Sequence, residues 1–371
     1  MPLIPRPDEV TPEFLTNCLR EAGFADVEVG SITGTRIGTG QIGQCIRYEL
    51  EYTSGGPTDD ASGDAASADA ASPPRTLVGK FPSDDPTSRQ TGVALRNYLK
   101  EVSFYQQLQS RLGIHTPRCY YAAIEGDGPE HVLILGDLAP AAQGNQLAGC
   151  TTEVARASIL ELVGLHAPTW CDRSLLDLEW LGTPNEMTVQ IGRVLYQSQL
   201  PAFLDRFRER LEADEVAIIE AVADSKGPPF EPLGDVFGVV HVDYRLDNLL
   251  IDESPSPPSI TAVDWQSLTL GNPLSDVAYF MGAGLLPELR REVERDLVDE
   301  YHRALRDAGV EGYGADRCWN DYRRGVFAGF AVTVVAAPLV QQTERGDEMF
   351  TAMARRHARH AIDLGSEELL G

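Results

Sequence analysis

The stretch His241-Val242-Asp243-Tyr244-Arg245-Leu246-Asp247-Asn248 (HVDYRLDN, residues 241–248) sits between two apolar runs, Phe237–Val240 and Leu249–Ile251. A carboxylate and an amide five positions apart are thus placed where one strand ends and another begins. Downstream, Leu249–Asp252 and Ile260–Val263 flank ESPSPPS, a Ser/Pro-rich turn that predicts an antiparallel hairpin centred near residue 256. Leu249 then faces Val263, Asp252 faces Ile260, and the next pair outward is Asn248 opposite Asp264. Directly opposed residues lie roughly 5 Å apart. A carboxylate and an amide oxygen at that spacing suit a hard divalent ion such as Mg²⁺. Asp243 stands at the start of the loop that feeds this hairpin.

Protein kinases carry the same arrangement as H-R-D-x-x-x-x-N, followed one hairpin later by an Asp. By composition, H-x-D-x-x-x-x-N arises by chance roughly once in 100 chains of this length. The competing reading is a polar loop that caps a hairpin. Gly38-Thr39-Gly40-Gln41-Ile42-Gly43 is a G-x-G-x-x-G between two strand-like runs. Alone it is weak, since with 34 glycines about 0.3 such matches arise by chance, and a plain hairpin turn has the same pattern. A dinucleotide-binding reading is poorer, because a strand rather than a helix follows. Lys80 ends the apolar run TLVGK. Glu101 is the one acid on a basic helical segment, so a Lys80–Glu101 pair that orients ATP phosphates is expected, against a surface ion pair of little worth. Asp276 could simply cap a helix, and His166 on a helix face is more often a packed histidine.

The 371-residue chain has room for two lobes. With 31 basic and 56 acidic residues its net charge is −25, which argues against nucleic acid as a partner, because phosphate backbones need a basic face. Six scattered cysteines without C-x-x-C read as reduced thiols in a cytoplasmic protein. MPLIPRPDEVTPEF has no signal-peptide pattern, and no apolar run reaches the ~18 residues of a membrane span. Residues 53–74, rich in Ser, Ala, Asp and Gly, read as a disordered insertion between the strands Gln44–Tyr52 and Thr76–Phe81. Apolar spacing predicts one helix at about 88–112 and a strand at 131–135. After about 150 the chain reads as helical (151–166, 187–225, 286–309, 318–362), apart from β structure around 237–265. The expected fold is α+β: a small β-rich lobe (1–135), a hinge (136–140) and a larger α-rich lobe (141–371). Ligands usually bind in the cleft of such a pair.

HVDYRLDNLLI followed by AVDWQSLTLGNPLSDVAYF resembles the aminoglycoside phosphotransferase and choline kinase-like superfamily, whose members commonly have H-G-D-x-x-x-x-N and then I/L/V-D-W/F. QGNQLAGCTTEVARASILELVGLHAPTW is similar to the ecdysteroid kinase-like branch, and the 241–280 run to kinase-like domains attached to some acyl-CoA dehydrogenases. The likeness covers about residues 30–345. It implies a protein-kinase-like bilobal fold and two cofactors, ATP and Mg²⁺. It implies Asp243 as catalytic base, His241 and Asp276 as supports of its loop, and Asn248 and Asp264 as Mg²⁺ ligands. Gly38, Gly40, Gly43, Lys80 and Glu101 would bind the nucleotide, and the backbone around Leu135–Leu138, Asp137 included, would receive adenine. Val242 departs from the family's Gly.

The function expected is transfer of the ATP γ-phosphoryl group to a hydroxyl of a small molecule. A nucleotide-binding pseudoenzyme is the rival from another class. A protein kinase is less favoured, because no A-P-E segment follows Asp264. The acceptor (aminoglycoside, choline-like amine, sterol-like alcohol or hydroxy acid) and the oligomeric state are not encoded legibly. Trp170, Trp319, Tyr322 and Phe327 read equally well as an acceptor wall or as core.

Overall fold

A computed structural model describes residues 2–38, 42–57 and 72–371. The chain divides into two compact units. The first comprises Met1–Ser110, Thr116–Ala142 and Val263–Gln266. It begins with helix α1 (Pro12–Glu21), which the expectations above lack. The signal was present: the Thr11 side chain accepts from Phe14 N at 3.2 Å, and Pro12 occupies the first turn. Strands β1 (Glu28–Ile37), β2 (Gly43–Ser54), β3 (Thr76–Pro82), β4 (Cys119–Ile124) and β5 (His131–Gly136) form an antiparallel sheet in the order β1-β2-β3-β5-β4. Residues 53 and 54, assigned above to the insertion, are strand, and most of the rest of that segment lies outside the described residues.

Alternation along β3 decides what this unit offers. Leu77, Gly79 and Phe81 are buried on one face, Leu77 and Phe81 within a core with Leu15 and Leu19 of α1, Tyr48 and Ile134. Lys80 consequently points to the other face.

The single helix expected at 88–112 is not what forms. Helix α2 (Pro86–Ala94) stops, Arg96 takes a left-handed conformation (φ 58°), and α3 (Asn97–Ser103) starts afresh, followed by a π-helical turn (Phe104–Leu108). Tertiary contacts set the break. Gly92 lies so close to the Tyr98 ring that a Cβ there would collide with it, so α2 folds back on α3. Tyr98 Oη donates to Ile42 O (2.8 Å) and Asn97 Nδ2 to Gln266 O (2.9 Å). Trp265 stacks on Phe104 (4.0 Å between centroids, 7°), and this holds Val263–Gln266 in the first unit.

The second unit comprises Arg111–His115, Gln143–Ala262 and Ser267–Gly371. Strand β6 is Ala142–Gln143, at the border of the two units. The helices are α4 (Thr152–Glu161), α5 (Val163–Thr169), α6 (Glu186–Phe207), α7 (Ala213–Ala223), α8 (Leu274–Gly284), α9 (Pro287–Asp307), α10 (Ala315–Gly325), α11 (Ala328–Leu339) and α12 (Glu344–Asp363). The stretch read as one helical region, 318–362, is therefore three helices. Strand β7 (Gly238–Val240) pairs with a strand missed above, β10 (Thr269–Gly271).

Strands β8 (Leu249–Asp252) and β9 (Ser259–Ala262) form the expected hairpin, but its register is one residue off the expectation. Leu249 faces Ala262, not Val263, and Asp252 faces Ser259, not Ile260. Ser259 joins the ladder because the turn is shorter than ESPSPPS. The Asp252 side chain accepts from Ser254 N (2.9 Å) and Ser254 Oγ (2.6 Å), which closes the turn early. Pro257 and Pro258 have no N–H for pairing, so the ladder resumes directly after them. Asn248 lies in a tight turn (Leu246–Asn248) ahead of β8, outside the ladder.

All six cysteines are free thiols. Among the described residues no helix is long and apolar enough to cross a membrane. Tyr322 and Phe327 are fully buried and belong to the core of the second unit rather than to a wall. Trp319 stacks on Tyr322 (5.3 Å) beneath the Arg295 guanidinium, and Trp170 sits edge-on to Tyr313.

Candidate functional site

Each unit gathers part of the expected set. In the first, Lys80 Nζ lies 2.7 Å from Glu101 Oε1 and 2.7 Å from Asp264 Oδ1. Glu101 reaches it because the restart of α3 at Asn97 turns that face of the helix inward, leaving Glu101 2% exposed. Burial pulls the Lys80 ammonium down, but the Asp264 and Glu101 carboxylates outweigh it and hold the group above its ordinary range. Burial pushes the Glu101 carboxyl up against the opposing pull of Lys80. Asp264 takes a left-handed backbone conformation (φ 68°), and Gln266 Nε2 donates to its Oδ2 at 3.1 Å.

Gly38 follows β1 with φ +71°, a conformation glycine adopts freely, and Gly43 opens β2, where a Cβ would lie 3.0 Å from Phe81 O. Gly40 lies outside the described residues. Leu135 is paired within β5 with Val78 and Cys119. The Asp137 side chain accepts from Arg47 NH2 at 3.0 Å and from Ala139 N at 3.2 Å, both through Oδ1. This carboxylate therefore shapes the segment after β5.

In the second unit, HVDYRLDN is a built loop. Asp276, in the first turn of α8 and 1% exposed, does not cap that helix. Its Oδ2 accepts from His241 N (2.6 Å) and its Oδ1 from Val242 N (2.9 Å). His166, fully buried, lies 3.4 Å from Asp276 through Nε2, and its Nδ1 is 2.6 Å from Tyr301 Oη. Val242 has φ 73°. A left-handed backbone explains why the family has glycine here, and a β-branched residue in it is strained.

Three side chains hold Asp243. Arg245 Nε donates to Oδ1 at 2.9 Å, Tyr279 Oη to Oδ1 at 2.7 Å, and Asn248 Nδ2 to Oδ2 at 2.8 Å. Asn248 Nδ2 also donates to the Asp243 carbonyl (2.9 Å). Arg245 NH1 bonds Asp247 Oδ2 (3.0 Å), and Arg345 approaches Asp247 at 3.1 Å. Gln146 ties the loop to the core: its N donates to Asp247 Oδ1 and its Oε1 accepts from Leu246 N. Tyr279, Gln146 and Arg245 are absent from the sequence expectations. Tyr279 reads as core in the apolar run VAYFM, and only its spacing of three from Asp276 on one helix face hints at a shared task.

Taken singly, the donors are of the type a hard cation takes: Asn248 spends its amide N–H groups on Asp243, which leaves its Oδ1 as an oxygen donor, and in the first unit Asp264 offers a carboxylate.

Comparison with known proteins adds the family and the fold. The ecdysteroid kinase-like family model matches residues 43–310. Three solved structures align with most of the chain. They are choline kinase from Cryptosporidium parvum (TM-score 0.52, 10% identity, 95% of this chain and 97% of that one), a variant of aminoglycoside 2'-phosphotransferase-IIIa in complex with GDP (0.51, 13%, 96% and 99%), and a Plasmodium vivax ethanolamine kinase (0.51, 9%, 91% and 83%). At these identities the likeness is one of fold, and the fold is the α+β, protein-kinase-like one. A Caenorhabditis elegans protein described as an uncharacterized oxidoreductase, dhs-27, is 21% identical over 257 residues, 65% of this chain and 31% of that protein. The chain thus spans about a third of the length of this curated relative.

Proposed function

The chain belongs to the ecdysteroid kinase-like family, and from that premise we propose that it is a small-molecule kinase, dependent on ATP and Mg²⁺. The observation that carries the reading is the clamped loop. Asn248 fixes both the side chain and the carbonyl of Asp243 across the five-residue spacing that phosphotransferases of this type use. The fold neighbours include choline and ethanolamine kinases and a GDP-bound phosphotransferase, which supports a nucleotide and a small acceptor.

In this reading Lys80, oriented by Glu101, contacts the ATP phosphates, Gly38 and Gly43 flank the segment that covers them, and the backbone at Leu135–Leu138 receives adenine. Asn248 and Asp264 would hold Mg²⁺, which when bound neutralises charge on the phosphate oxygens. Asp243 accepts the proton of the acceptor hydroxyl as its oxygen bonds to the γ-phosphorus. The bond from that phosphorus to the β–γ bridging oxygen breaks, and ADP leaves with the electron pair. His241 and Asp276 hold the loop. The transition state is loose, so the protein chiefly positions reactants and offsets charge.

Turnover of Mg²⁺–ATP with pooled hydroxylated metabolites tests this. The wild type should release ADP in proportion to a phosphorylated product, while Asp243→Ala loses about 10³-fold or more in rate yet still binds a non-hydrolysable ATP analogue. Nucleotide binding without turnover by the wild type on any acceptor would turn the assignment toward a nucleotide-binding module.

A further inference from the structure

We propose that Tyr279 is a positioning residue for Asp243, and that its hydrogen bond leaves Oδ2 of that carboxylate as the oxygen that takes the substrate proton. The proposal rests on Asp243 being the base only for its consequence in turnover, since the hydrogen bond itself stands on geometry. Each carboxylate oxygen has two lone-pair sites. Oδ1 uses both, one for Tyr279 Oη (2.7 Å) and one for Arg245 Nε (2.9 Å). Among the described residues Oδ2 uses one, for Asn248 Nδ2 (2.8 Å). The open site is therefore on Oδ2. The three donors also fix the carboxylate plane, so the open lone pair keeps one direction.

Tyr279 is well made for this. It is fully buried in α8, one turn beyond Asp276, so a single helix holds both the loop's backbone and its carboxylate. Burial, reinforced by the Asp243 charge, pushes its phenol well above the usual range, so it stays a donor. Its ring stacks on His357 of α12 (5.3 Å, 24°). His357 is fully buried, neither ring nitrogen has a hydrogen-bond partner among the described residues, and burial pushes it down to about 3, so it is a neutral flat platform. Gly282 and Gly329 leave it room, since a Cβ at either would collide with the imidazole.

The test reads the hydrogen bond and its consequence separately. With site-specific 3-fluorotyrosine at 279, which keeps the donor at nearly the same size, the ¹⁹F resonance reports the partner of the phenol; it should move in Asp243→Asn and stay in place in Tyr301→Phe, which removes a buried hydroxyl bonded to His166 instead. In turnover of Mg²⁺–ATP with a hydroxylated acceptor, Tyr279→Phe should lower kcat about tenfold with the KM for ATP unchanged, while the 3-fluorotyrosine chain keeps the wild-type rate. A resonance at 279 that does not respond to Asp243→Asn, or that responds equally to Tyr301→Phe, overturns the proposal, as does a Tyr279→Phe chain with the wild-type kcat. A resonance that responds to Asp243→Asn together with full turnover by Asp243→Asn would keep the positioning role and remove the base assignment.

Discussion

Replacing Val242 sets glycine against alanine at a position where the usual order should invert. At φ 73° the valine backbone is left-handed, which costs an L-residue about 1–2 kcal/mol. Alanine keeps that cost. Glycine removes it but adds about 0.5–1 kcal/mol of unfolded-chain entropy. Both variants lose most of the half-buried valine side chain, and alanine retains one half-buried methyl, worth about 0.4 kcal/mol. Glycine should therefore be the more stable of the two by about 0.5 kcal/mol, whereas in ordinary helix or strand alanine is favoured by about 0.5–1 kcal/mol. The Val242 N–H that donates to Asp276 survives in both. Urea unfolding at constant m-value reads the difference directly, and turnover of Val242→Gly should stay near the wild-type value because the loop geometry is the one glycine prefers. An alanine variant as stable as the glycine variant, or more so, would refute the claim that this loop is held in a strained backbone.

Three further outcomes follow from the buried groups and the charge. Asp276→Ala leaves one buried and one part-buried backbone N–H of the loop unpaired and should destabilise the chain by about 2–4 kcal/mol in chemical unfolding. Acid stability should fall as His131 and His357, pushed down to about 4 and about 3 chiefly by burial, stay neutral in the fold while the unfolded chain takes up protons near pH 6.5. Their contribution is complete above pH 6.5 and is lost as pH falls toward 3, so His357→Phe should flatten the decline seen in thermal melts between pH 6.5 and 4. With 56 acidic residues against 31 basic ones, of which three are lysine, added KCl should raise the melting temperature by screening self-repulsion.

The loop was legible because its chemistry is local in sequence: His241, Asp243 and Asn248 lie within eight residues, and the turn after Asp252 announces the hairpin. The expected pairing of Asn248 with Asp264 does not form, because Ser259 pairs where a loop residue was expected, the ladder shifts by one, and Asn248 lies outside it. The break at Arg96 was illegible, since neither Gly nor Pro stands at it and the groups that hold the restarted helix are distant in sequence, Gln266 for Asn97 and Ile42 for Tyr98. Tyr279 and His357 were illegible for a related reason. A polar group that serves a site from inside an apolar helix has the same spacing as core, and only the fold shows what its hydroxyl or ring touches. Tyr322 and Phe327 illustrate the converse, aromatic residues that could have faced a ligand and instead fill the core.

The central claim, phosphoryl transfer to a small molecule with Asp243 as base, is tested most directly by following the label from γ-³²P-ATP and Mg²⁺ into a metabolite extract. Label should enter a small-molecule phosphate monoester with the wild type and be lost with Asp243→Asn. Label that appears on protein, or an Asp243→Asn variant that forms the monoester at the wild-type rate, would contradict it.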